Sequence, residues 1–113
     1  DFADWADRKG LLLLTAALTV PATGNRKAAG KHLRHWREFF NTAIKQAHEA
    51  KPQAVVVAWG TKARDASASA LGIDWQTPPS WFRWTYHPIV TKPGPHSFAS
   101  FWKTDPGKAL VMR

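Results

Sequence analysis

Residues Ala54–Trp59 read Ala-Val-Val-Val-Ala-Trp and are followed by Gly60 and Thr61. Six apolar residues in a row, half of them β-branched, suit a pleated surface covered on both faces, as in a parallel sheet. Pro52 and Gly60 bound the run. Downstream, Thr61 is placed to N-cap a helix over Lys62–Leu71 by offering its hydroxyl to orphan backbone donors. Upstream, Lys31–Ala50 carries Leu33, Trp36, Phe40, Ala43, Ile44 and Ala47 at steps of three and four, which predicts a long helix with one apolar face.

The same logic extends to both ends. Thr77–Ser80 is a loop broken by proline, Trp81–Tyr86 is a further strand running into His87-Pro88, and Ile89–Pro95 is a loop ahead of a short aromatic helix containing Phe98, Phe101 and Trp102. Trp81, Phe82 and Trp84 cannot all point inward, because strand side chains alternate, so one of Trp81 and Trp84 is expected at the surface. Toward the start, Leu11–Leu14 is an apolar run of the kind that forms a strand buried on both faces. Phe2, Trp5 and Ala6 fit a leading helix over Asp1–Lys9, which Gly10 stops by adopting a positive φ. Pro21–Gly30 reads as a basic loop. Helices alternating with strands predict an open α/β sheet with parallel strands. Ligands then gather at the carboxyl ends of the strands, at Thr15, Trp59-Gly60 and Tyr86-His87.

The chain has 113 residues, and with seven Trp, six Phe and one Tyr it is a single globular domain over 1–113 rather than a disordered segment. No apolar run approaches the roughly 18 residues of a membrane span. Cysteine is absent, which removes disulfides, thiol nucleophiles and cysteine-held zinc. The sequence starts at Asp1 inside a helical pattern, as expected of a domain cut from a larger parent polypeptide. Sixteen Lys and Arg against eight Asp and Glu leave a net charge of +8, and the first partner this suggests is a polyanion. Arg26, Lys27, Lys31, Lys62, Arg64 and Lys92 fall in loops or first helical turns beside the strand ends, where backbone N–H groups also favour phosphate. The tryptophans divide between core packing and base stacking, most of them core.

His87 is the most chemical position, because an imidazole at a strand end can donate to a developing anion or move a proton. His32, His35 and His48 lie on the long helix, and no carboxylate stands at a ligand-like spacing from them, so a solvated helix face is expected rather than a metal site. No Ser-His-Asp order, phosphate-binding glycine fingerprint or paired acid motif occurs.

Taken together, Gly10-Leu-Leu-Leu-Leu-Thr-Ala-Ala-Leu-Thr-Val20, Trp36-Arg-Glu-Phe39, Val55-Val-Val-Ala-Trp59-Gly60, Tyr86-His87-Pro88 and Phe101-Trp-Lys-Thr-Asp105 resemble the carboxyl-terminal half of the uracil-DNA glycosylase superfamily, in order and spacing over nearly the whole chain. Each motif alone is weak, and their specificity lies in five occurring in register. The family counterparts are a buried strand ending LLLN-x-x-LTV, a WE-x-F helix, a strand ending in WG, an HPSPLS loop and an HF-x-KTN stretch. The resemblance implies a three-layer α/β/α sandwich with a small, mostly parallel sheet, a truncated form of the family fold. It implies excision of uracil from single- or double-stranded DNA by cleavage of the N-glycosidic bond of a flipped nucleotide, with no metal or organic cofactor. His87 matches the histidine that donates to the uracil carbonyl oxygen. Trp59 and Tyr86 stand beside it as substrate-binding residues. Pro88, Ile89, Val90, Thr91 and Lys92 match the loop that enters the minor groove, and Arg26, Lys27 and Lys31 match a phosphate-contacting segment.

Three departures accompany the match. Thr15 replaces the asparagine that reads the pyrimidine by a two-point amide pairing, which one hydroxyl cannot reproduce. The HPSPLS loop becomes His87-Pro-Ile-Val-Thr-Lys92, which leaves Ile89 or Val90 as the apolar wedge. The GQDPYH loop, whose aspartate orients the attacking water, does not occur in this sequence; the carboxylates open to that role are Asp1, Asp4, Asp7 and Asp65, with Asp7 and Asp65 foremost. In the family the strand bearing that loop lies mid-sheet, so the remaining three strands are expected either to close ranks or to recruit a partner strand. The readings that follow are a glycosylase-like enzyme serving repair, a DNA-damaging toxin domain delivered into a target cell and restrained by an acidic inhibitor, a non-catalytic DNA-binding remnant, and one half of a split glycosylase. Each acts where DNA is.

Overall fold

A computed structural model describes residues 3, 4, 7, 10–17, 22, 31–90, 92–101 and 103. The fold is α/β. Helix α1 spans Leu33–Ala50, strand β1 Val56–Trp59, helix α2 Thr61–Leu71, strand β2 Phe82–Thr85 and the short helix α3 Phe98–Phe101. Each falls within two residues of its expected position, because each rests on a periodicity or an apolar run bounded by Gly or Pro. Ala3, Asp4 and Asp7 are helical and Gly10 has φ +66°, as expected of a leading helix stopped by glycine. Phe2, Trp5, Ala6 and Trp102 lie outside the described residues.

Among the described residues the sheet has two strands, paired in parallel with Val56 opposite Phe82 and Trp59 opposite Thr85. A parallel pair needs a crossover, and α2 supplies it. On α1 the faces separate as the spacing predicts: Phe40 and Ile44 are buried, Leu33, Trp36, Ala43 and Ala47 are half-buried, and Arg34, Arg37, Glu38 and Lys45 are exposed. Phe40, Ile44 and Ala70 form a core cluster on which Leu14, Ala16, Val56, Ala66 and Leu71 pack. Phe82 is fully buried on β2. Removing such a side chain costs about 3–5 kcal/mol.

Four expectations are corrected. Leu11–Leu14 is not a strand among the described residues. Leu14 packs on the core cluster, but Leu12 is 70% exposed and Leu13 45% exposed. A continuous apolar run reports a tendency to be buried, and pairing also requires a strand edge at the right place. Among the described residues the sheet therefore does not close ranks around three strands.

Thr61 does not cap α2. Gly60 occupies the N-cap, with φ +94° and ψ +162° and no side-chain cap bond, and Thr61 is the first helical residue. Finally, neither Trp81 nor Trp84 is exposed, because rings from elsewhere cover both. The His48 ring lies 4.3 Å from that of Trp81, and His96 stacks on Trp84 at 3.9 Å with 14° between planes. His48 is consequently half-buried rather than on a solvated face. His32 and His35 meet edge to face at 5.4 Å.

Candidate active site at the strand ends

The parallel pairing brings the carboxyl ends of β1 and β2 together. The Gly60 N–H donates to the Thr85 carbonyl at 2.7 Å, and His87 follows two residues later. A Cβ placed on Gly60 would lie 3.5 Å from the His87 Cβ and 3.9 Å from its backbone nitrogen. The turn from β1 into α2 thus passes directly against His87, in a φ/ψ combination open essentially to glycine alone.

His87 is exposed. The Ile89 N–H donates to its Nδ1 at 3.3 Å, and the Val90 N–H donates to its carbonyl at 2.8 Å. A neutral imidazole carries one proton, so a lone pair engaged at Nδ1 leaves that proton on Nε2, the nitrogen at the far side of the ring. The ring is a hydrogen-bond donor held by its own loop. Ile89 is 61% exposed and Val90 42% exposed, an apolar tip beside the donor. Pro88 is half-buried and Lys92 exposed.

Behind His87, the Tyr86 N–H donates to the His96 carbonyl at 2.8 Å, which ties the strand end to the loop before α3. The Lys92 ammonium lies 5.4 Å from the Tyr86 ring centre, and the Trp59 ring meets Phe98 edge-on at 5.3 Å. Trp59, Tyr86, His87 and Lys92 are therefore gathered at one end of the sheet.

Asp65 and Lys62 lie elsewhere. Asp65 is exposed and lines a cavity of about 440 Å³ between α1 and α2 with Arg37, Asn41 and Lys62, a lining that includes neither His87 nor Thr15. Its carboxylate pairs with the Arg64 Nε at 2.9 Å. Asp7, Thr15 and Lys31 are exposed. Arg26, Lys27 and Thr91 lie outside the described residues.

Arg64 requires a correction. Its guanidinium carbon sits 3.5 Å from the Trp75 ring centre and 4.6 Å from that of Trp84, and only 13% of its side chain is exposed. A cation already committed to two indole faces is not a free phosphate ligand. Sequence reasoning also missed His96, which both stacks on Trp84 and holds Tyr86. The available signal was a histidine within the Pro95-His96-Ser97 turn, close in chain to three aromatic residues.

The chain is 38% identical over 68 residues to a uracil-DNA glycosylase of Streptococcus sanguinis (strain SK36), an alignment covering 60% of this chain and 30% of that protein. This chain accordingly corresponds to under a third of its relative, and over that stretch it resembles the uracil-DNA glycosylase superfamily. No family model matches. No solved structure matches.

Proposed function

We propose that this chain is a DNA glycosylase-like domain that binds DNA and hydrolyses the N-glycosidic bond of a flipped pyrimidine, foremost uracil. The observation that carries this reading is the exposed His87 just past β2, packed beside Gly60, with its Nδ1 accepting from the Ile89 N–H and its Nε2 proposed as the free donor. In the proposed step the bond between the sugar C1′ and the base N1 breaks, and its electron pair leaves with the base. Charge then accumulates on N1 and the neighbouring carbonyl oxygen, and Nε2–H donates to that oxygen. A donor aimed at developing charge stabilises the transition state more than the ground state. Water adds to C1′ and releases one proton, for which Asp7 is the proposed acceptor; Asp65, in the cavity between α1 and α2 and paired with Arg64, is set apart from His87. Thr15, Trp59 and Tyr86 are the proposed base contacts.

The net charge of +8 supports DNA as the partner. Lys31, Lys62 and Lys92 are the described cations assigned to phosphate, and Pro88, Ile89 and Val90 form the wedge. Arg26, Lys27 and Thr91 complete that set from the sequence reading. Roles as a repair enzyme, or as a DNA-damaging effector domain held by an acidic inhibitor within a larger polypeptide, are finer proposals that rest on this activity.

One observation supports a second reading. Leu12 and Leu13 are exposed, and β1 has a ladder partner on one edge alone among the described residues. That combination suits one half of a split glycosylase completed by a strand from another chain.

Alkaline cleavage of a labelled oligonucleotide carrying one uracil, in single and double strands, tests both. Strand breakage by the wild type that disappears with His87→Ala is the expected result. Intact DNA together with a salt-sensitive gel shift favours the split half or a binding remnant.

A further inference from the structure

A second cavity, of about 450 Å³, runs along β2 and is lined by Phe82, Arg83, Trp84 and Thr85, with Trp75, Gln76, His96 and Phe101 among the residues around it. Successive strand side chains point to opposite faces, so four consecutive residues can line one cavity only where it meets the strand edge-on. The register identifies that edge. Val56 and Gly60 donate to the carbonyls of Trp81 and Thr85, which assigns the alternate residues of β2 to the β1 side. The N–H and C=O of Trp84 therefore face away from β1. On the same outer edge the N–H groups of Phe82 and Tyr86 are taken by the Pro79 and His96 carbonyls, at 3.1 and 2.8 Å. Trp84 lies between them and has no ladder partner on that side among the described residues.

A donor and an acceptor side by side on a strand edge match a planar ring bearing the complementary acceptor and donor. The lining adds aromatic rings, the Gln76 amide, the Arg83 guanidinium and the His96 imidazole, and it contains no Asp or Glu. Flat apolar walls select an aromatic ligand, and the Arg83 guanidinium, which spends one N–H on the Phe82 carbonyl at 3.0 Å and has no carboxylate beside it in the lining, favours an anionic one. A nucleotide meets both conditions. The Trp84 ring is a wall rather than a stacking platform, because Arg64 and His96 already lie against it at 4.6 and 3.9 Å. Arg64 covers one face of the Trp75 ring at 3.5 Å and Phe101 is buried, so base stacking falls to the opposite face of Trp75, with base-edge pairing to the Trp84 backbone. Thr85 lies two residues before His87, a distance of about 7 Å along an extended chain. The groove is thus within reach of a nucleotide neighbouring one bound at His87.

We infer that the groove along the outer edge of β2 is a second nucleotide subsite, which takes an unpaired base of the DNA strand next to the nucleotide held at His87. This rests on the DNA-binding reading above.

The test compares the full chain's affinity for a ten-residue oligothymidylate and for an abasic oligomer of equal length and charge, by tryptophan fluorescence. Base stacking predicts roughly tenfold tighter binding of the thymidylate strand. Trp75→Ala should abolish that preference and leave abasic binding unchanged. Gln76→Trp, a plug introduced from an exposed position, should do the same and covers the case in which Trp75→Ala fails to fold. Equal wild-type affinity for the two oligomers overturns the subsite and leaves DNA binding standing. A preference that survives the plug places the base elsewhere and also overturns it. No binding of either oligomer removes the DNA reading and the subsite with it.

Discussion

Gly60→Ala is the most informative single substitution, because it separates backbone strain from crowding at the proposed site. Gly60 has φ +94° and ψ +162°, a region that residues with a Cβ rarely enter. The nearest atom to an added Cβ would be the His87 Cβ at 3.5 Å, an ordinary van der Waals contact, so the cost is conformational rather than steric. Holding a non-glycine residue there costs about 1–3 kcal/mol. At about 4–8 °C per kcal/mol for a domain near this size, a mid-range cost of ~2 kcal/mol lowers the melting midpoint by about 8–16 °C. Thermal unfolding followed by circular dichroism measures it. Thr61→Ala is the matched control: Thr61 makes no cap bond, so its loss should change stability by less than about 0.5 kcal/mol. A Gly60→Ala midpoint within about 2 °C of wild type would refute the β1–α2 turn described here, and with it the seating of His87 against that turn. A large loss with Thr61→Ala would restore the capping role expected from sequence.

Phe82→Ala removes a fully buried ring from β2 and should cost about 3–5 kcal/mol in denaturant unfolding; a loss below 1 kcal/mol would mean that β2 is not central to the core. Leu12→Lys places a charge where the native side chain is 70% exposed, and stability should stay within about 0.5 kcal/mol of wild type. Severe destabilisation there would return Leu11–Leu14 to a buried strand. Long-range nitrogen–proton NMR of neutral His87 should find Nε2 protonated and Nδ1 bare. The opposite tautomer would remove the donor on which the proposed chemistry depends.

Local periodicity and punctuation make most of the fold legible in the sequence. Helix α1 follows from Leu33, Trp36, Phe40 and Ile44 at helical spacing, β1 from a short apolar run closed by Gly60, and β2 from an aromatic-rich stretch closed by His87-Pro88. These signals are local, so the chain carries them wherever it goes. His87 was legible for the same reason: a histidine at a strand terminus marks itself in one dimension. Its neighbourhood was not. That Gly60 lies against His87, that Asp65 shares a cavity with Lys62 rather than with His87, and that Arg64 lies against Trp75 and Trp84 depend on contacts between residues distant in sequence or on opposite faces of one helix.

The clearest division is at Leu11–Leu14. Sequence alone determined that this run is apolar, and that the chain alternates helix with strand, lacks cysteine and carries an excess of eight positive charges. Tertiary structure decided that the run does not pair, because backbone hydrogen bonding needs a neighbouring edge in register, a condition that no property of the run itself can supply. It likewise decided that the outer edge of β2 borders an aromatic groove, since strand register, which sets where each N–H and C=O points, is fixed only when two strands meet.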